Sequence, residues 1–358
     1  MLPCQPLAAS MSAPPSLGGT LAALWPEVEA LLPPARRAPL ARAEPVSGRV
    51  WRAALANGTV LALKLAAGNE ESARALAMEA QALEWLARRG CPVPEVVARP
   101  AETPPRWLAL SWHGDQTLEV LLATASPPQR ARLGRLLAEA VASVEAAFQP
   151  LTAAERDNPP AWEARVRALR AQAAPWIAAA PEALAWLVEH PLDRRTRERL
   201  EQALALAFGA EPSIAGLDYN AQNVVFDGER LALLDFSAVG IDWPERRFVQ
   251  YGTATGAASD GGGFVTVITP SSVRHYAALI APQRSLDAAK VEQLVDAHDL
   301  WLLLIAAQQL RAVAEGSAVA ARARAWRNVP QRRRQLLRLL RRRLIHHGPA
   351  ETVRRRLR

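Results

Sequence analysis

The sequence predicts an α+β chain of two lobes: a small antiparallel β lobe with one helix, then a larger helical lobe carrying a short hairpin. Three observations predict it. Strand-like alternation with tight turns is confined to residues 40–65 and 96–111. One helical run interrupts it, at roughly Glu70–Arg89. From Ser111–Gln116 onward the pattern turns helical to about Phe208 and again from Ser271, with a single hairpin between.

The first strands, Leu40–Val46 and Arg49–Leu55, flank Ser47-Gly48, and Asn57-Gly58 turns the chain into Val60–Leu65. Asn-Gly between two such runs is a strong hairpin signal. Lys64 alternates with Leu63 and Leu65, so it points to the opposite face of the strand. In the helix that follows, Asn69 is set as N-cap, Glu70 and Glu71 suit the first turn, and Gly90 with Pro92 ends it. Leu76, Leu83 and Leu86 form its apolar stripe, and Glu79 lies on that stripe. A carboxylate there is costly unless a cation meets it, and Lys64 is the natural partner; the plainer reading puts Glu79 at the stripe's edge, in solvent. Val96–Arg99 and Trp107–Ser111 close the lobe, and His113-Gly114-Asp115 falls in the hinge. Helices are expected over Thr117–Ala123, Pro128–Phe148, Ala161–Ala173, Pro175–Glu189 and Arg194–Ala207. The resulting domains are a disordered leader and lead-in helix (1–35), a β lobe (36–112), a helical lobe (113–330) and a basic helix or tail (331–358).

Half of the 358 residues are apolar, which is enough for a substantial core. The two cysteines form no CxxC pair, no basic-then-apolar leader opens the chain, and the longest apolar run is too short to span a bilayer. These features predict a cytoplasmic protein. The net charge of +8 is not spread evenly: residues 331–358 hold eleven arginines and one glutamate, leaving the body near −2. The body therefore has no general attraction for nucleic acid. Lysine is written only twice, as Lys64 and Lys290, against 41 arginines.

The stretch Ser213–Pro244 carries the chemistry. A polar loop from Asp218 to Asn223 leads into two strands joined at Asp227-Gly228, and the second strand ends at Asp235. Two carboxylates and an amide oxygen at one end of a ribbon suit Mg²⁺, which is seldom given an all-protein cage. Kinases use such a set: one Asp takes the acceptor's proton, and an Asn and a second Asp hold metal on the nucleotide phosphates.

In this order and spacing, the chain resembles the aminoglycoside phosphotransferase and choline kinase group of the protein-kinase-like fold, from about Leu40 to Arg247. That family's HGDxxxxN loop and following (I/L)DF strand match Asp218, Asn223 and Asp235, and Gly240-Ile241-Asp242-Trp243-Pro244 stands for its GDP-like turn. The resemblance implies ATP and Mg²⁺ as cofactors. It places Lys64 and Glu79 as the nucleotide-positioning pair, Ser47 and Gly48 in the nucleotide loop, and Leu110 and Trp112 at the adenine edge. Asp218 becomes the base, with Asn223 and Asp235 as metal ligands. It also implies a small-molecule hydroxyl acceptor of aminoglycoside, sugar or amino-alcohol type, with Asp296, Asp299 and Trp301 as candidates to bind it; the plainer reading of these helix positions is a solvated face. The family's His-Gly before the first Asp is replaced by Gly216-Leu217, which removes a brace of the loop.

Two other readings stand beside this one, an atypical protein Ser/Thr kinase and a nucleotide-binding pseudokinase. The helical insert from Pro127 to Ala207 favours the small-molecule branch, because it would crowd a peptide groove. The C-terminal segment has Leu336, Leu337, Leu339, Leu340 and Leu344 on one side of a basic helix. It either docks on the domain or meets an anionic partner, a membrane surface or nucleic acid.

Overall fold

A computed structural model describes residues 17–255, 264–317 and 328–346. The expected leader over residues 1–16, most of the glycine-rich loop after Ala254 and the end of the arginine-rich tail lie outside them. In chain order the elements are α1 (Leu17–Leu31), β1 (Leu40–Ser47), β2 (Val50–Leu55), β3 (Val60–Leu65), α2 (Glu70–Ala87), β4 (Val96–Ala98) and β5 (Trp107–Ser111). Then come β6 (Gln116–Thr117), α3 (Leu118–Thr124), α4 (Pro127–Arg156), α5 (Pro159–Ala178), α6 (Ala180–Val188), α7 (Arg194–Gly209) and β7 (Ser213–Gly216). The chain continues with β8 (Val224–Phe226), β9 (Leu231–Leu233), β10 (Val239–Asp242), α8 (Pro244–Tyr251), β11 (Thr253–Ala254) and β12 (Val265–Thr266). It ends in α9 (Pro270–Arg284), α10 (Ala288–Ala314) and α11 (Val329–His346).

The chain divides into two compact units, an antiparallel sheet unit and a helical unit, as the predicted α+β class requires. The first is built from residues up to 115 together with 216–218 and 225–240. Its five strands run in the order β1-β2-β3-β5-β4, all antiparallel. The turns are where glycine is needed: Gly48 has φ +31° and Gly58 φ +84°, in the region that favours residues without a Cβ. One face of the sheet buries Trp51, Leu61, Leu63 and Trp107 with Trp25 and Val28 of α1. The indole N–H of Trp107 donates to Glu27 Oε1 at 2.9 Å. The start of α2 is as read: Asn69 Oδ1 accepts from Ser72 N at 2.8 Å. The β8–β9 hairpin belongs to this unit, and Leu233 N donates to the Pro92 carbonyl at 2.9 Å.

The second unit comprises residues 116–215, 219–224 and 241 onward. Its core gathers Leu184, Leu204, Phe208, Trp243, Trp301 and Leu304. Two helices run further than the sequence suggests. Helix α4 continues across Pro150 to Arg156, and α5 across Pro175 to Ala178. Packing overrides the breaker: Thr152, past the proline, is buried and its hydroxyl donates to the Phe148 carbonyl at 3.3 Å. Helix α11 docks through Leu336 and Leu340, both fully buried in this core, with Leu337 and Leu339 packed against it, while the side chain of Leu344 lies outside the described residues. Among the described residues no helix is long and apolar enough to cross a membrane.

Candidate active site

The sheet unit brings three of the expected residues together. Lys64 Nζ lies 2.6 Å from Glu79 Oε2 and 3.2 Å from Asp235 Oδ1. The side chain of Glu79 is 2 % exposed, that of Lys64 14 %, so Glu79 does not reach solvent from the edge of its stripe. Burial opposes the charge on Lys64, but Glu79 and Asp235 more than offset it and its pKa is raised. For Glu79 burial is the larger influence and moves its carboxyl up, against the pull of Lys64. Asp235 is also penalised by burial, yet Lys64 and the Ser237 hydroxyl, donating at 2.7 Å, hold its pKa below the usual carboxylate value. The cluster thus holds one ammonium between two carboxylates, and Asp235 keeps its charge.

Local geometry explains how Asp235 is delivered. Asp227 Oδ1 accepts from the N–H groups of Glu229 and Arg230, both at 2.8 Å, and Gly228 takes φ +107°, closing the hairpin tightly. Asp235 follows strand β9 at φ +62°, a left-handed conformation that turns the chain sharply after the strand. Beneath the hairpin lies Gly114, at φ +106°: a Cβ there would sit 2.3 Å from the Phe226 carbonyl oxygen. The His113-Gly114-Asp115 triplet therefore supports the hairpin. His113 is tied to Ser111 at 2.8 Å, and burial lowers its pKa.

Asp218, half-buried and in the sheet unit, comes two residues after the end of strand β7. The Leu217 N–H before it donates to the Ala238 carbonyl at 2.9 Å. Asn223 ends a 3-10 turn in the helical unit, Ala221–Asn223, which Asn220 caps by accepting from Gln222 N and Asn223 N at 2.9 and 3.2 Å. Between them stands Tyr219, fully buried, whose hydroxyl donates to Asp242 Oδ2. Asp242 also receives Arg246 at 3.1 Å and the Trp243 N–H at 2.8 Å. Sequence reading passed over Tyr219, because an aromatic in a polar loop carries no signal until its partner is known.

Ser47 and Gly48 form the exposed β1–β2 turn. Next to them is Arg49, also unanticipated, whose guanidinium meets the Ser72 hydroxyl at the start of α2. Arg49 acts on Glu79 as a further positive charge, so two cations attend the cluster. Leu110 is buried in β5 opposite Ala62, and Trp112, half-buried, donates to Asp115 Oδ1 at 3.0 Å. Asp296, Asp299 and Trp301 all lie on α10 in the helical unit. Trp301 is 2 % exposed and stands edge-on to Phe208 at 5.0 Å, which makes it part of the packing. Asp299 is also buried, and only Asp296 is half-exposed. Beside them His298 is fully buried among Phe208, Trp243 and Trp301, and burial pushes its pKa down to about 3.

Among the described residues no three or more His, Cys, Asp or Glu side chains gather as a metal cluster. Of the two expected metal residues, Asp235 offers an ionised carboxylate in the sheet unit and Asn223 an amide oxygen in the helical unit, both donors of the kind a hard cation takes.

No curated protein matches the chain in sequence. Among solved structures it is similar to a GDP complex of aminoglycoside 2'-phosphotransferase-IIIa, at 13% identity over 89% of this chain and 97% of that one, with a TM-score of 0.48. It is likewise similar to choline kinase from Cryptosporidium parvum Iowa II, at 10% identity, 91% and 97% coverage and a TM-score of 0.49. A macrolide 2'-phosphotransferase from Brachybacterium faecium aligns at 16% identity, 86% and 96% coverage and a TM-score of 0.43. The sequence profile of the phosphotransferase enzyme family matches residues 40–261, more than half of the chain and the span that holds Lys64, Glu79, Asp218, Asn223 and Asp235. The chain belongs to the phosphotransferase enzyme family.

Proposed function

We propose that this phosphotransferase moves the γ-phosphoryl group of ATP onto a hydroxyl of a small molecule. The observation that carries the reading is the bracketing of Lys64 by Glu79 and Asp235 at 2.6 and 3.2 Å. An ammonium fixed between two carboxylates is aimed rather than free, which suits a group that must meet polyphosphate oxygens. In this reading Lys64 contacts the α- and β-phosphates, Ser47 and Gly48 line the nucleotide loop, and the chain leaving β5 at Leu110–Trp112 receives the adenine. Asn223 and Asp235 are the residues that would hold Mg²⁺. When bound, that ion neutralises charge on the phosphates.

Asp218 is the proposed base. As the acceptor oxygen bonds to the γ-phosphorus, the bond from that phosphorus to the β,γ-bridging oxygen breaks and ADP leaves with the electron pair. Asp218 takes the hydroxyl proton. The named neighbours, aminoglycoside and macrolide phosphotransferases and a choline kinase, suggest acceptors of that general kind. Asp296 is the most accessible of the proposed acceptor residues.

The test is a phosphoryl-transfer screen with Mg-ATP against aminoglycosides, macrolides, sugars, amino alcohols and a protein substrate. Transfer to a small hydroxyl compound is expected, and Asp218→Ala should lower it by a factor of about 10² to 10⁴. Full turnover in Asp218→Ala would remove the base assignment. Transfer to protein alone, or no response to Mg-ATP, would overturn the reading.

A further inference from the structure

The family's brace before the first Asp is absent here, with Gly216-Leu217 in its place, yet Asp218 is not left on a loose loop. We infer that strand β10 anchors it on both sides, through Leu217 at Gly240 and Tyr219 at Asp242, and that Tyr219 and Asp242 are positioning residues for Asp218. The inference rests on the reading of Asp218 as the base.

Each anchor is a contact within its own unit. In the sheet unit Leu217 gives its N–H to Ala238, and its side chain fills the space above Gly240: a Cβ at 240 would lie 2.8 Å from Leu217 Cδ1. In the helical unit Tyr219 is 3 % exposed and its hydroxyl donates to Asp242, itself 1 % exposed. Burial first, and then the neighbouring Asp242, push the phenol's pKa well above its ordinary value, so the hydroxyl keeps its proton and remains a donor. Asp242 is fixed in turn by Arg246, whose guanidinium also lies 5.6 Å over the Tyr219 ring and 4.5 Å over that of Trp301. The ring of Tyr251 meets Tyr219 edge-on at 6.2 Å.

Residues 217 and 219 are thus held at 240 and 242, and Asp218 is the residue between. A hydrogen bond to a buried, doubly engaged carboxylate is stronger than a neutral one and has a defined direction. An aspartate that must meet one proton at one place gains from neighbours that cannot drift.

Tyr219→Phe removes the hydroxyl and keeps the ring. The control is Tyr276→Phe, because the buried Tyr276 hydroxyl has no hydrogen-bond partner among the described residues. Two readouts are taken on the full chain: backbone deuterium exchange, and phosphate release from Mg-ATP with water as acceptor. The expected result for Tyr219→Phe is faster exchange confined to residues 217–223, with turnover about tenfold lower or more. Its affinity for Mg-ATP, from the thermal shift, should remain near wild type, and Tyr276→Phe should match wild type throughout. Unchanged exchange at 217–223 overturns the anchor, as does faster exchange throughout the helical unit, which would mark a general packing role. Full turnover in Asp218→Ala removes the base assignment alone, since the exchange result still decides the anchor.

Discussion

Lys64 and Glu79 show how a charge becomes necessary once its partner is buried. With Glu79 2 % exposed, Lys64→Met would leave a carboxylate inside the unit with its principal counter-charge gone. We expect that variant to lose about 3–5 kcal/mol of stability, the usual outcome of breaking a buried pair from one side. The double variant Lys64→Met/Glu79→Leu should recover most of that loss while remaining inactive. Denaturant melts and a turnover assay together check this, and a double variant as unstable as the single one would contradict it. This pair was legible in the sequence, because a lone Glu on an apolar stripe asks for a cation and lysine is almost unused elsewhere. Arg49 and Ser237 were not legible. Nothing in an arginine-rich chain marks one arginine, and the Ser237 hydroxyl matters only because Asp235 turns back at φ +62°.

At the scale of elements, the β8–β9 hairpin carries Asp235 and rests on Gly114. Gly114→Ala would combine a left-handed backbone with a methyl 2.3 Å from the Phe226 carbonyl oxygen, and neither backbone has a free side chain to move aside. The expected cost is about 2 kcal/mol or more, with a larger fractional loss of turnover than of nucleotide affinity. A variant that melts and turns over like wild type would show that the hairpin yields without consequence. The two turn signals, Asn57-Gly58 and Asp227-Gly228, found their strands because glycine writes backbone geometry into sequence. Strand β10 and the lead-in strand β7 escaped, being only four residues each, too short for a period to show. The run of α4 through Pro150 escaped for the opposite reason, a local breaker overruled by burial. Tyr219 belongs with these, since its partner lies 23 positions away and only the fold brings them together.

For the whole molecule, the uneven charge of the sequence resolves into structure. The basic C-terminal segment begins as a docked helix, with Leu336 and Leu340 in the same core as Trp301 and Leu304. Replacing both leucines by alanine should cost about 2–5 kcal/mol for each side chain removed, seen as a lower melting temperature of the helical unit. A variant that melts like wild type would mean that the helix contributes nothing to that core. The division into a β-rich and a helical part was legible from periodicity alone, whereas the inclusion of residues 216–218 and 225–240 in the sheet unit was not. Local pattern cannot report a partnership across so much intervening chain.

That partnership bears on how the protein is made. Lys64 and Asp235 are 171 residues apart in sequence, and the whole of 116–215 is synthesised between them. The sheet unit therefore cannot reach its finished form when its five strands leave the ribosome. Until Asp235 emerges, Lys64 has only Glu79, and the β8–β9 hairpin still has to arrive beside Pro92. The last part of this unit to be made is the segment that carries Asp235, so a chain that stops short of residue 240 would carry an incomplete sheet unit.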